Sequence, residues 1–204
     1  MKIMYILHAE NGDELIPWLK ISEELDLKIT LVSNLDEKQL NLQKYDKVLN
    51  SVTVDVPDPS GVLSCLKIVG CYRTSVLNAL LKDVPLFGYH KFSFVSPAVN
   101  KAFEGLAYLK GIEVPYCVEL PELVDKKLKE NNASYFKKLF YKHIQFVTYN
   151  RCSYIICSEN LKDTLMEKYK LDEKKFLFTD YSEMKDTDKL NELKKIIRKL
   201  KTKF

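Results

Sequence analysis

The chain has 204 residues, of which 46% are hydrophobic and 29% charged, with a formal net charge of +4 at pH 7. A chain of this size buries a sizeable core without disulfides or metals and fits one large domain, with or without a docked terminal helix. The mild basic excess suits a neighbour of anionic substrates or membranes. It is too weak and too dispersed for a dedicated nucleic-acid binder, so no specific nucleic acid is expected as a partner.

The five cysteines, Cys65, Cys71, Cys117, Cys152 and Cys157, form no C-x-x-C pair. Irregular spacing of this kind predicts free, mostly buried thiols in a reducing compartment rather than a metal cage. The apolar run near Met1 is too short for a signal peptide, and no window approaches the ~20 apolar residues of a membrane span. The expected location is cytoplasmic. Asn132-Ala133-Ser134 is a formal glycosylation sequon, read here as coincidental.

In chain order, Lys2–Leu7 predicts a strand followed by the polar loop Ala9 to Asp13. A helix then carries Leu15, Ile16, Leu19 and Leu25, with Pro17 tolerable only in the first turn. Lys28–Val32 and Lys47–Val54 hold the next two strands, and Pro57 to Gly61 is a turn. Val62–Lys82 reads as a long helix interrupted by Gly70. Leu86–Tyr89 is a strand, Pro97–Lys110 a helix, Pro115–Val118 a strand and Tyr135–Arg151 a helix. Tyr154–Cys157, Asn160–Lys168 and Phe176–Phe178 form a final strand–helix–strand unit. Asp186 or Thr187 caps a last amphipathic helix with Leu190, Leu193, Ile196, Ile197 and Leu200 on one face and many lysines on the others.

Short apolar runs alternating with helices imply parallel strands buried on both faces and joined by right-handed crossovers. The expected fold is α/β: a single doubly wound, mostly parallel Rossmann-like sheet of about six or seven strands, with helices on both faces and a docked C-terminal helix. The domain spans 1–185, and the basic amphipathic helix 186–204. Ligands of such sheets bind beyond the carboxyl ends of the strands. Those ends are His8–Asp13, Ser33–Asn34, Tyr89–Ser96, Glu119–Glu122, Ser158–Glu159 and Thr179–Ser182.

Glu10, Asn11 and Gly12 lie just ahead of a helix N-terminus, where a glycine permits close approach and free N–H groups favour anions. The two acidic neighbours Glu10 and Asp13 oppose a phosphate there. Neither a dinucleotide G-x-G-x-x-G fingerprint nor a P-loop is present. His8 and His90 fall near strand ends and are candidate bases or orienting donors. His143 falls inside a helix and is read as structural. Ser158-Glu159 pairs a cap residue with an acidic first turn, a combination that also serves simply to start a helix.

The stretch from Arg151 to Ser182, RCSYIICSENLKDTLMEKYKLDEKKFLFTDYS, resembles the last strand–helix–strand unit in the N-terminal half of family 4 glycosyltransferases, which have the two-domain GT-B architecture. The resemblance is strongest from Leu106 to Phe178. It implies an acceptor-side domain for sugar transfer from a nucleotide sugar, the co-substrate, with retention at the anomeric carbon and no metal or bound cofactor. In that family the loop after the first strand is usually Gly-Gly, and Gly12 matches one of the two. Glu119 matches the glutamate of the motif after the Pro115–Val118 strand, Pro121 replaces its histidine, and Glu122 replaces its aspartate. Asp180-Tyr181 stands where the hinge Asn-Gly is usual. Only about two dozen residues follow the unit, so the resemblance implies a donor site supplied by a separate subunit or a homodimer.

Lys138 and Lys142, with Tyr135, Phe136, Phe140 and Tyr141, form a second basic–aromatic helix. Together with the family's lipid-linked and glycan acceptors, it implies peripheral contact with a membrane surface. The alternatives are a non-catalytic interaction or regulatory module that kept the fold, and a different Rossmann-like small-molecule enzyme.

Overall fold

The structure, a computed structural model, describes residues 2–7, 12–55, 67, 70–72, 74–76, 78–79, 87–91, 115–120, 123–130, 132–178 and 186–203. Its strands are β1 (Lys2–Leu7), β2 (Lys28–Ser33), β3 (Val48–Thr53), β4 (Phe87–Lys91), β5 (Tyr116–Leu120), β6 (Tyr154–Cys157) and β7 (Phe176–Phe178). They pair side by side in the order β3-β2-β1-β4-β5-β6-β7, and every pairing is parallel. The helices are α1 (Ile16–Glu24), α2 (Val124–Glu130), α3 (Tyr135–Arg151), α4 (Glu159–Tyr169) and α5 (Asp186–Lys201). Residues 67, 70–72, 74–76 and 78–79 are also helical.

Alternation along the strands sorts the core into two layers. Ile3, Tyr5, Ile29, Leu31, Cys117 and Ile156 face one side, where Leu15, Leu19 and Ile21 of the α1 region cover them. The same layer takes Leu193, Ile196, Ile197 and Leu200 of α5, so the C-terminal helix lies on the sheet. A Lys194–Glu24 ion pair joins α5 to α1, and Lys203 Nζ sits 4.3 Å from the Tyr154 ring centroid. On the opposite face Met4, Ile6, Val118 and Ile155 pack against Tyr72, Val76, Leu128, Tyr141 and Leu165. Parallel strands covered on both sides have no polar face, which is why they read as unbroken apolar runs.

Several local features have clear causes. Pro17 falls in the first turn of α1, where its missing N–H is not required. Ser134 starts α3 by accepting the Lys137 N–H at 3.3 Å, after Asn132 turns the chain in the left-handed region (φ 46°). The sequon residues Asn132 and Ser134 are thus used to begin a helix. At the other end of α3, Lys175 donates to the carbonyls of Tyr149 (3.3 Å) and Asn150, satisfying acceptors the helix cannot. Tyr169 donates to Gln145 Oε1 at 2.7 Å and stacks edge-on against Tyr149, with centroids 4.9 Å apart, locking α4 onto α3.

Three expectations need correction. Gly70, read from the sequence as a break, is itself helical and exposed, and an added Cβ would meet nothing within 4 Å. Tyr141 belongs to the core, and Phe140 packs against it half-buried, so neither is part of an exposed basic–aromatic face. The β5 strand runs past Val118 to Leu120, which places Glu119 inside a strand rather than in the following loop. The Pro97–Lys110 helix and the Pro57–Gly61 turn lie outside the described residues.

The Ile197 side chain is completely buried under the sheet. Ile197→Ala is expected to lower stability by about 2–5 kcal/mol, read as a shift in the urea midpoint at unchanged slope. Burial also pushes up the titration of Cys117, Cys157, Tyr72, Tyr149 and Tyr169. In the unfolded chain these groups lose protons near their ordinary values of 9.0 and 10.0, whereas the fold retains them. Stability is therefore full below pH 9 and falls as the pH rises toward about 12, where Cys157 itself titrates. Denaturation curves at pH 7.5 and at successive alkaline steps check this.

Candidate functional site at the carboxyl edge of the sheet

Strand order reverses between β1 and β4, because β2 and β3 extend the sheet to one side of β1 and β4 to β7 to the other. Helices leaving adjacent strands on opposite faces open a crevice at such a point, outside the carboxyl ends. The strands bordering it are β1, β4 and β5, which lie next to one another. His8 directly follows β1, His90 belongs to β4, and Glu122 comes two residues after β5. By chain order alone, then, the three candidate catalytic residues belong to or follow three neighbouring strands. His8, Glu10, Asn11 and Glu122 themselves lie outside the described residues. The backbone of His90 pairs with Ile6 and Val118, and β4 continues to Lys91, beyond the strand end at Tyr89 that the sequence suggests.

Gly12 opens a short 3-10 helix (Gly12–Leu15) that leads into α1. A Cβ added there would stand 3.2 Å from the Gln39 carbonyl oxygen and 3.4 Å from Leu40 Cδ2. The loop after β2 is what presses on it. That loop is fixed by reciprocal bonds: Asp36 N–H donates to Gln39 Oε1 (2.9 Å), and Gln39 N–H donates to Asp36 Oδ1 (2.8 Å). Glycine at this position has a packing reason that a single sequence does not reveal. The Ser33 hydroxyl, buried at the end of β2, accepts the Leu35 N–H at 3.1 Å, and its carbonyl accepts the Val54 N–H at 2.7 Å. Ser33 thus shapes the rim.

Glu119 is 5% exposed and shares a face of the sheet with Cys117 and Ile156, in register with Lys91 and Ile156. Burying a carboxylate is costly, so its presence one residue from the carboxyl end of a central strand is the strongest polar signal among the described rim residues. Ser158 follows β6 at the N-cap of α4 (φ −69°, ψ 154°), yet its side chain makes no capping bond. The capping role suggested by the sequence is filled by position but not by the hydroxyl. Glu159, exposed in the first turn, is stabilised by the helix N-terminus. Cys157, just before them, is held as a neutral thiol by burial and does not supply a thiolate at neutral pH.

Two exposed apolar residues, beside the Tyr135 and Phe136 that the sequence points to, escaped the sequence reading. Leu139 and Phe146 of α3 are 52% and 53% exposed, alongside Tyr135 at 74% and Phe136 at 72%. Their spacing with Tyr135, four and eleven residues on, was the available signal: it puts all three on one side of the helix, within an arc of about 40°.

The sequence matches no protein family and no curated protein. The fold does have solved neighbours. A two-segment piece of sucrose-phosphate synthase from Thermosynechococcus elongatus, 27–220 with 406–426, superposes with a TM-score of 0.60. The match covers 98% of this chain and 99% of that one at 6% identity. UDP-GlcNAc 2-epimerase from Neisseria meningitidis, bound to UDP-GlcNAc, has a TM-score of 0.57 over 88% of this chain and 46% of its own, at 15% identity. The epimerase from Rickettsia bellii gives 0.56 over 98% and 48%, also at 15% identity. The chain spans about half the length of the epimerases it matches. At these identities the fold alone is shared: Rossmann-like, of the glycosyltransferase-like GT-B type.

The geometry separates two serines that each stand at a helix N-cap. Ser134→Ala, which removes a cap bond, is expected to cost about 1 kcal/mol of stability. Ser158→Ala removes none and is expected to stay within about 0.5 kcal/mol of the parent. Paired urea titrations of the two variants check the contrast.

Proposed function

We propose that this chain acts as the acceptor-side half of a GT-B glycosyltransferase, presenting an acceptor to a nucleotide sugar held by a donor-side subunit or by a second copy. The observation that carries this reading is the extent of the match. The chain corresponds to about half of each two-domain neighbour, and to nearly all of a piece that joins an early segment to a late one. The helix α5, packed beside α1, fits a late segment lying back across the first domain.

In this reading the acceptor occupies the crevice beyond β1, β4 and β5. Glu119 and Ser158 orient it, with Gly12 and Glu159 at the rim and Glu10 and Asn11 in the loop ahead of α1. Glu122, His8 and His90 are the candidates to move the acceptor proton, because each belongs to or follows one of those three strands. The sugar is transferred with retention, and the chain itself needs no metal or bound cofactor.

A thermal-shift screen against acceptor-class compounds (oligosaccharides and polyprenyl phosphates) and against nucleotide sugars tests the division of labour. A ligand at ~100 times its Kd adds about 2.7 kcal/mol, or several degrees for a domain of this size. An acceptor is expected to raise Tm in the parent but not in Glu119→Gln or Ser158→Ala, while nucleotide sugars leave it unmoved. A nucleotide sugar that shifts the chain at a concentration where it is monomeric overturns the acceptor-side assignment, and a response to neither class favours the non-catalytic module.

A further inference from the structure

Between α2, α3 and α4, on the opposite face of the sheet from α5, lies a hollow of about 380 Å³. Lys129 of α2, Lys138 and Lys142 of α3, and Lys168 of α4 line it. Its one carboxylate, Asp125, is ion-paired with Lys168, and the lining holds none for the other three lysines. Burial keeps the Lys168 ammonium below its usual value even so. Lys129 and Lys168 stand near the carboxyl ends of their helices, where the helix dipole favours a cation. Lys138 and Lys142 have no such reason: they lie in the first half of α3, one turn apart, where like charges repel. Leu128, which is buried, and Tyr135 and Leu139, which are exposed, supply the rest of the wall.

We propose that this hollow binds a soluble organic phosphate, a phosphomonoester whose phosphate sits among Lys129, Lys138 and Lys142 and whose carbon part lies against Leu128, Leu139 and the Tyr135 ring. Ammonium groups act as point charges, and three of them on two helices suit a compact, multiply charged group. A planar carboxylate is held best by the fork of an arginine, and the lining has no arginine. A phosphomonoester brings about two negative charges at neutral pH, against the three lysines that Asp125 leaves uncompensated. The volume lies in the range of small-molecule sites rather than that of a lone ion, and the apolar wall accounts for the remainder of the ligand.

Other occupants fit less well. A second copy meeting this face across a two-fold axis would bring the same lysines opposite one another. A bilayer needs a continuous apolar strip, and Lys142 stands between Leu139 and Phe146 on α3, while the cations border a recess between three helices. The inference does not depend on sugar transfer, since it concerns a different part of the molecule from the carboxyl-edge crevice.

Amide NMR titration of the full chain with phenyl phosphate tests it, at ~0.1 M salt so that diffuse attraction is largely screened. Saturable shifts are expected at the amides around the four lysines of the hollow. Inorganic phosphate is expected to bind about threefold more weakly or worse, for want of the ring, and benzoate more weakly than phenyl phosphate by about tenfold. Lys138→Gln with Lys142→Gln is expected to weaken phenyl phosphate about tenfold or more. Leu139→Ser is expected to narrow the gap between phenyl phosphate and inorganic phosphate. The control pair Lys199→Gln and Lys201→Gln, exposed on α5, and the crevice variants Glu119→Gln and Ser158→Ala are expected to change the affinity less than about twofold, as sites remote from the ligand should. The substituted side chains of the hollow are exposed, and circular dichroism confirms that each variant is folded. Failure of phenyl phosphate to saturate, equal binding of benzoate, or an equal loss in the α5 control overturns the proposal. So does flotation with phosphatidylglycerol vesicles by a chain that does not respond to the soluble phosphates.

Discussion

Burial of both faces of one parallel sheet is the constraint on which the other features depend. Ile3, Met4, Tyr5 and Ile6 of β1 are all essentially inaccessible, as are Cys117, Val118 and Leu120 of β5. Such strands cannot leave either face to solvent, because each exposed aliphatic side chain forgoes about 1.5–3 kcal/mol of burial. Two helix layers are therefore obligatory. With helices committed to both faces of the central strands, the part of those strands left open to a ligand is the edge where they end. The place where strand order turns back, between β1 and β4, is where covering helices diverge.

The same constraint explains what was legible in the sequence. Runs such as Lys2–Leu7 and Tyr154–Cys157 stand out because two-sided burial removes polar residues from them, and their observed limits are those the sequence suggests. The limits of β5 were misplaced because Glu119 is charged, and a charge usually marks a strand's end. Here the carboxylate is tolerated inside the strand. The exception to the local rule is itself a pointer to a functional position. The packing of Gly12 was illegible for a different reason: the atoms a side chain there would crowd are the Gln39 carbonyl and the Leu40 side chain, far along the chain and brought close by the β1–β2 pairing.

Ser134 and Ser158 show how little a motif settles by itself. Both occupy the N-cap of a helix with extended backbone angles, and both precede a helix that the sequence predicts well. One accepts the Lys137 N–H and the other makes no such bond. An N-cap hydroxyl at the carboxyl edge of the sheet, not engaged by its own helix, has a different meaning from one at a surface turn. The difference lies in what surrounds each residue, which composition and spacing do not encode.

The two basic amphipathic helices, α3 and α5, carry similar signatures and end differently. In α5 the apolar residues Leu193, Ile196, Ile197 and Leu200 fall on a single stripe, and the sheet consumes all of it. Its lysines then face water, and nothing apolar remains beside them to hold a membrane. In α3 the core stripe is made largely of Tyr141, Gln145, Thr148 and Tyr149, which are buried and hydrogen-bonded or stacked. Tyr135, Leu139 and Phe146 lie outside that stripe and are each more than half exposed. A helix with a second apolar stripe, placed next to cations rather than over the sheet, has residues whose presence the core does not explain. The exposed apolar residues of α3 beside Lys138 and Lys142 are thus left over by the core, whereas those of the more conspicuous basic helix α5 are accounted for by the sheet.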